Sequence, residues 1–413
     1  MNDKIFIQIA AYRDPQLVPT IKDCIKKAAY PENLVFAIAW QHSENDVWDN
    51  LDEFRSDTRF KIIDIPYNES TGACWARNTI QRLYNNETYT LQLDSHHRFV
   101  ENWDHECIEM YKQLRKKGYE KPLLTAYLPS FSPGKPQETW TQMPWKMSFD
   151  KFIPEGAIFF LPSGIENYQQ LKEPIPARFY SAHFTFTSGK FCKEVPHDPE
   201  YYFHGEEISI AARAYTWGYD LFHPHKIIAW HEYTRNNRKK QWDDDKEWIE
   251  RNKNCHLRNR KLFGMDNEKQ DINFGRYGFG PYRTLQDYEQ YAGVSFARRA
   301  VQQYTIDDQY PPNPPMPDID TTWNRNFSKC LTLDKEELTE TDYDFWVIAF
   351  QNDEEKEVHR KDVSKEEINT FMEQPGTHIS VCRDFKTHMT PTKVVFWPHS
   401  ESKGFMEKII KKL

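Results

Sequence analysis

The sequence predicts an α/β protein: a mostly parallel sheet flanked by helices, followed by a small β-rich C-terminal domain. Three observations carry this. The first hundred residues alternate nearly continuous apolar runs with stretches whose apolar residues recur at helical spacing, the pattern of βα units. A proline-rich segment, "YPPNPPMPDID" (310–320), then reads as an extended linker. Beyond it, strand-like runs dominate.

"KIFIQIAAY" (4–12) predicts the first strand, and "QLVPTIKDCIKKAAY" (16–30) a helix. "LVFAIAW" (34–40) and "FKIIDIPY" (60–67) are the next strands, "GACWARNTIQRLY" (72–84) the second main helix, and "TYTLQLD" (88–94) the fourth strand. A helix over 101–119 and the strand "PLLTAYL" (122–128) follow, then a Pro- and Gly-rich loop over 129–145. "AHFTFTSGKF" (182–191) reads as strand and turn, "EEISIAARAYTWGYD" (206–220) as a helix stopped by glycine, and "LFHPHKIIAWHEY" (221–233) as holding a short strand. The stretch 234–254 is basic and carries tryptophan. Past the linker, 344–352, 377–385 and 392–399 are strand-like. The expected domains are 1–310, a linker over 311–320, and an accessory domain over 321–413.

The 413 residues allow two or three domains, and 15% aromatics fit a packed globular protein. A net charge of −8 does not suggest a nucleic-acid binder; such contact would need a local basic patch. The N-terminal apolar stretch is too short and interrupted for a secretion signal, and no run of about 20 apolar residues suggests a membrane span. The seven cysteines are scattered, with no CxxC pair. They fit a reducing compartment and argue against a disulfide framework or structural zinc. A cytoplasmic protein is expected.

In parallel sheets, ligands bind beyond the carboxyl ends of the strands. There lie Tyr12, Arg13 and Asp14, Trp40 and Gln41, and Asp94 to Arg98. No GxGxxG or P-loop motif is present. Asp94-Ser95-His96 stands out. On an extended segment Asp94 and His96 project to one side and can face one ion, while Ser95 and His97 project to the other. A carboxylate with an imidazole suits Mn(II) better than Mg(II), which favours oxygen alone. The bland alternative is a polar surface turn. His231, ending the apolar run in "KIIAWHEY", offers a third ligand, with His204, His223 and His225 as competitors. Gly205, Glu206 and Glu207 sit at a helix start, where acids serve as caps or hold sugar hydroxyls. "STGACWARN" (70–78) places small residues at a helix N-terminus suited to phosphate or sugar, with Arg77 a turn further in. The basic run Arg235, Arg238, Lys239 and Lys240 is either a solvated face or a cover for a bound diphosphate.

Together "IAAYRDP" (9–15), "GACWARN" (72–78), "LQLDSHHRF" (91–99), "HGEEISIAARAYTWGYD" (204–220), "PHKIIAWHEYTR" (224–235) and "RTLQDYEQYAGVSF" (283–296) resemble glycosyltransferase family 60. The resemblance covers about residues 1–300. It implies a GT-A fold, a Rossmann-like mixed sheet, and retaining transfer of N-acetylglucosamine (GlcNAc) from UDP-GlcNAc. The acceptor would be polypeptide hydroxyproline or Ser/Thr, or a glycan. The Asp-x-His motif with its later histidine is similar to that of the polypeptide GalNAc-transferases. By this resemblance Asp94, His96 and His231 hold Mn(II) (or Mg(II)). Ala11, Tyr12 and Arg13 form a uridine wall, and Arg77, Asp94, Ser95 and Arg235 complete the donor site. Glu206 and Glu207 would hold sugar or acceptor. Two competing readings are a non-haem Fe(II) oxygenase, from the same two histidines and one carboxylate, and a non-catalytic carbohydrate-binding protein with a structural metal.

Overall fold

The computed structural model describes residues 3–48, 50–234, 238–269, 271–313 and 323–413. Arg235 and most of the expected linker lie outside the described residues. The chain divides into two units, Met1–Ala297 with Tyr304–Pro315, and Arg298–Gln303 with Met316–Leu413. The division is therefore interleaved, since a six-residue piece ahead of the proline-rich segment belongs with the C-terminal unit.

The larger unit is built on β1 (Ile5–Tyr12), β2 (Leu34–His42), β3 (Phe60–Pro66) and β4 (Tyr89–Leu93), with α1 (Leu17–Lys27) and α2 (Ala73–Gln81) between them. Beyond β4 come β5 (His97–Phe99), α3 (Trp103–Lys116), β6 (Pro122–Thr125), β7 (Trp145–Phe152), β8 (Ile158–Gly164), β9 (Ile175–Pro176) and β10 (Phe184–Ser188). The unit continues through α4 (Glu206–Thr216), β11 (Asp220–His223), β12 (Ala229–His231), α5 (Trp248–Phe263) and α6 (Leu285–Ala292). The main sheet runs β3-β2-β1-β4-β10-β6-β11-β9. β1 to β4 are parallel, and β10 enters antiparallel between β4 and β6, so the sheet is mixed.

Strand parity decides what faces the ligand. On β1, Ile5, Ile7, Ile9 and Ala11 join the core made with Leu17, Ile21 and Cys24 of α1 and Trp103 and Cys107 of α3. Phe6 and Ala10 lie on the other face, with Ala76 and Ile80 of α2. β4 repeats the rule: Tyr89, Leu91 and Leu93 belong to the first core. Its even positions are polar, and Thr90 and Gln92 are buried beneath α2.

Two parts departed from expectation. The segment 145–164 forms the β7–β8 hairpin, hidden in the sequence because lysines, aspartate and Pro162 interrupt its apolar alternation. Trp248–Phe263, which begins inside the stretch 234–254 read only as basic, is a 16-residue helix closed by Gly264 in the left-handed conformation.

In the C-terminal unit, Asn324–Asp334 pairs antiparallel with His378–Thr387, and Tyr343–Gln351 with Lys393–Ser400. Its core gathers Leu331, Leu333, Trp346, Ile348, Phe350, Ile379, Val381 and Phe396. The strand 324–334 was not anticipated, because half its positions face solvent and are polar. One cysteine expectation is corrected. Cys330 and Cys382 are bonded as a disulfide, while Cys24, Cys74, Cys107, Cys192 and Cys255 are buried and free. The pair is directly opposed in the antiparallel register, which spacing along the chain does not reveal. Among the described residues no helix is long and apolar enough to cross a membrane.

α1 also fixes the bend after β4. Thr20 Oγ1 donates to Ser95 O at 2.9 Å and accepts from His97 N at 2.9 Å. Both ends of the bend are thus tied to one buried hydroxyl. Thr20→Val keeps the shape and orphans the two backbone groups. It should lower the unfolding free energy by about 1–3 kcal/mol, measured by urea titration; a change within error would mean that the bend holds itself.

Candidate metal and donor site

β4 ends at Leu93, so Asp94-Ser95-His96 is a bend rather than extended strand. Asp94 and His96 nevertheless converge. Asp94 Oδ2 stands 3.8 Å from His96 Nε2 and 3.4 Å from His231 Nε2. His231 arrives on β12, which pairs antiparallel with β5 and sets His231 opposite His97. Ligand atoms about 2.0–2.2 Å from one ion stand roughly 3–3.6 Å apart. The Asp94–His231 pair falls in that range, and the Asp94–His96 pair is slightly wider. All three ligand atoms lie within 4.8 Å of one another, so small side-chain shifts let them share a cation. Both nitrogens of the buried His231 ring lack a hydrogen-bond partner among the described residues, and this orphaned imidazole is what an ion would satisfy. Burial, then the neighbouring His183, hold His231 neutral, well below its usual pKa, leaving a lone pair to donate. Burial alone would raise the Asp94 carboxyl; His231, Arg77 and His96 hold it well below the usual range instead.

Asp14 orients His96. Its Oδ2 lies 2.7 Å from His96 Nδ1 and accepts from Ser95 Oγ at 2.7 Å and Arg238 Nη1 at 2.8 Å. Arg238 also touches His96 Nδ1. A carboxylate on one imidazole nitrogen aims the other nitrogen outward, as at many metal centres. Tyr12 lines the same cleft, its hydroxyl donating to Asp244 at 2.9 Å. Strand parity puts Ala10 and Tyr12 on the wall and turns Ala11 into the core. Arg13, at φ +46°, carries its guanidinium to Asp46 and Asp244. Gly72, at φ +123°, opens α2 against the cleft; a Cβ there would meet the Tyr202 ring at 3.0 Å. Lys239, Lys240 and Trp242 complete this side.

Arg77 projects from α2 to Asp94 Oδ1 at 2.7 Å and Glu206 Oε1 at 2.5 Å. Burial would push Glu206 up, but the Arg77 charge and His197 bring it to about 2. Glu207 is different. It accepts from Tyr127 Oη at 2.7 Å and Ala182 N at 3.0 Å. Burial still pushes it up to about 7. Neither glutamate caps α4, whose start is Gly205 in the left-handed conformation. Glu206 and Glu207 border a second cavity with Tyr127, Trp145, Phe159 and Tyr233. The two cavities share Arg77, Asp94, Phe203, His231 and Tyr233.

Of the competing histidines, His223 Nδ1 lies 2.7 Å from Thr125 O, and His204 packs on Phe159 and Phe203. The sequence reading missed His183, whose ring stacks on His231 at 4.2 Å, and did not foresee Asp14 as the partner of His96. A second group of potential ligands, Cys74, His197 and Glu206, also lies close together. Arg77 already claims its carboxylate, so its charge works against a cation there.

The model of the family described as "Glycosyltransferase (GlcNAc)" matches residues 4–59 and 49–298. The chain belongs to this glycosyltransferase family. The fold is similar to a crystal structure of GalNAc-T7 with UDP, GalNAc and Mn2+, at 12% identity and TM-score 0.50, over 98% of this chain and 68% of that one. It is less similar to S. aureus TarS 1–349, at 11% identity and TM-score 0.38, over 55% of this chain and 60% of that one. No curated protein matches. The GT-A fold is thus established, and the protein is a glycosyltransferase rather than an oxygenase or a passive lectin.

Glu207 has a pH signature. Its folded carboxyl keeps a proton up to about pH 7, whereas an unfolded glutamate releases it near 4.3. Its contribution to stability is therefore complete below roughly pH 4 and fades as pH rises toward 7. Glu207→Gln should flatten the pH dependence of urea unfolding across that window; an unchanged slope would assign the titration to another group.

Proposed function

We propose that this enzyme is a metal-dependent, retaining glycosyltransferase of the family-60 kind that moves GlcNAc from UDP-GlcNAc to a hydroxyl acceptor. The acceptor is a polypeptide hydroxyproline or Ser/Thr, or a glycan. The observation that carries this reading is the convergence of Asp94, His96 and the orphaned His231 at the wall between two unlike cavities. The first cavity is lined by Arg77, Arg238, Lys239 and Lys240 and suits a diphosphate. The second is aromatic and carboxylate-bearing and suits an uncharged sugar and its acceptor.

Asp94, His96 and His231 would hold Mn(II), or Mg(II). Such an ion supplies a Lewis acid that neutralises the departing diphosphate. The chain's own residues do the rest. Asp14 fixes the His96 ring. Arg238, Lys239 and Lys240 place positive charge where the leaving group develops negative charge. The N-terminus of α2 at Gly72 and Ala73 lines the same cleft and turns the positive end of the helix toward it. Tyr12 forms a wall for the nucleoside.

Retention by double displacement needs a free carboxylate beside the anomeric carbon. Glu206 is engaged by Arg77, and burial pushes Glu207 up to about 7, so a substantial share of it carries a proton near neutrality. This favours front-face attack, with the acceptor proton passing to the leaving phosphate.

Asp94→Ala and His231→Ala should each cut UDP release from UDP-GlcNAc by at least about 100-fold while the far-UV circular dichroism stays unchanged. Full turnover by both variants would show that the ion-binding groups lie elsewhere.

A further inference from the structure

Asp94 is held by a loop of side chains that begins on β4 and closes on the first residue beyond it. Gln92, on β4, and Asp94, just past its end, both face the α2 side. Gln92 Nε2 donates to Ala182 O at 2.6 Å, which turns its Oε1 toward His197 Nε2 at 2.5 Å. His197 Nδ1 then lies 2.8 Å from Glu206 Oε1, close but without hydrogen-bond alignment. The same Glu206 oxygen accepts from Arg77 Nη1, and Arg77 Nη2 returns to Asp94 Oδ1. All but Asp94 are enclosed: Gln92, His197, Glu206 and Arg77 are 2%, 0%, 5% and 6% exposed. His197 is anchored further by α2, its N–H donating to Gln81 Oε1 at 2.8 Å and its carbonyl accepting from Asn78 Nδ2 at 2.7 Å.

An arginine facing one carboxylate ordinarily engages both oxygens with its two-pronged fork. Here the fork is divided between two carboxylates. Asp94 therefore gives Arg77 only Oδ1 and keeps Oδ2, the oxygen nearest His96 and His231. Arg77 Nε has no hydrogen-bond partner among the described residues. Its direction thus depends on these two carboxylates.

We propose that Glu206 and His197 are positioning residues that hold Arg77 off the second oxygen of Asp94, reserving that oxygen for a divalent ion. This rests on the metal reading given above and assigns Glu206 a task other than contact with the sugar. Without the Glu206 charge, Arg77 swings to engage both Asp94 oxygens and competes with the cation. His197 packs the far side of Glu206 and keeps its oxygen facing Arg77.

The test is a titration of the full-length, nucleotide-free protein with MnCl2, reading free Mn(II) by electron paramagnetic resonance. Glu206→Gln should weaken binding by about 10-fold or more, and His197→Ala should weaken it less. Arg77→Lys provides a second reading if Glu206→Gln does not fold. It keeps one positive charge but cannot span two carboxylates, and it too should bind Mn(II) more weakly. A purely structural role would lower the unfolding midpoint and leave the dissociation constant of the folded fraction alone. Parental affinity in Glu206→Gln or Arg77→Lys overturns the positioning role while the metal site stands. A parent protein that binds no Mn(II) overturns both.

Discussion

The division of one carboxylate organises the site. Asp94 Oδ1 belongs to Arg77 and Oδ2 to the two imidazoles. Each partner comes from a different part of the chain: Arg77 from α2, His96 from the bend after β4, and His231 from a strand paired to β5. The bend keeps its shape because a hydroxyl of α1 ties Ser95 to His97. α1, α2, the bend after β4 and the β5–β12 pair therefore all act to bring Asp94, His96 and His231 together. A buried polar network of this kind is specific when its members are satisfied and costly when one is removed.

Charge is separated on the two sides of that carboxylate. One side collects Arg238, Lys239 and Lys240; the opposite side collects Glu206, Glu207 and aromatic rings. The chain is acidic overall, with a net charge of −8, so this local basic wall is not a by-product of composition. It suits a leaving diphosphate, whereas the aromatic cavity suits rings with apolar faces.

The catalytic unit was legible where local pattern decides structure. β1 to β4, α1 and α2 announced themselves through continuous apolar runs and helical spacing. Asp94 and His96 were legible because ionisable groups ended a buried strand. Pairing across long separations was not. The period-two argument turned His97 away from Asp94 and His96 but could not read its neighbour: the β5–β12 register places it opposite His231, with ring centroids 5.0 Å apart. Ala11 was assigned to the ligand wall by the family resemblance, but strand parity sends it to the core and offers Ala10 and Tyr12. His197 and Gln92 left only a faint signal, a glutamine beside one threonine in a buried strand. The Cys330–Cys382 bond follows from an antiparallel register that cysteine spacing does not encode.

The central claim is that Asp94, His96 and His231 share one divalent ion. Anomalous diffraction at the manganese edge, from crystals soaked in MnCl2 and UDP, tests it most directly. One peak bounded by Asp94 Oδ2, His96 Nε2 and His231 Nε2 is the expected result. A cleft holding UDP with no peak there, or a peak at Cys74, His197 and Glu206 instead, would contradict it.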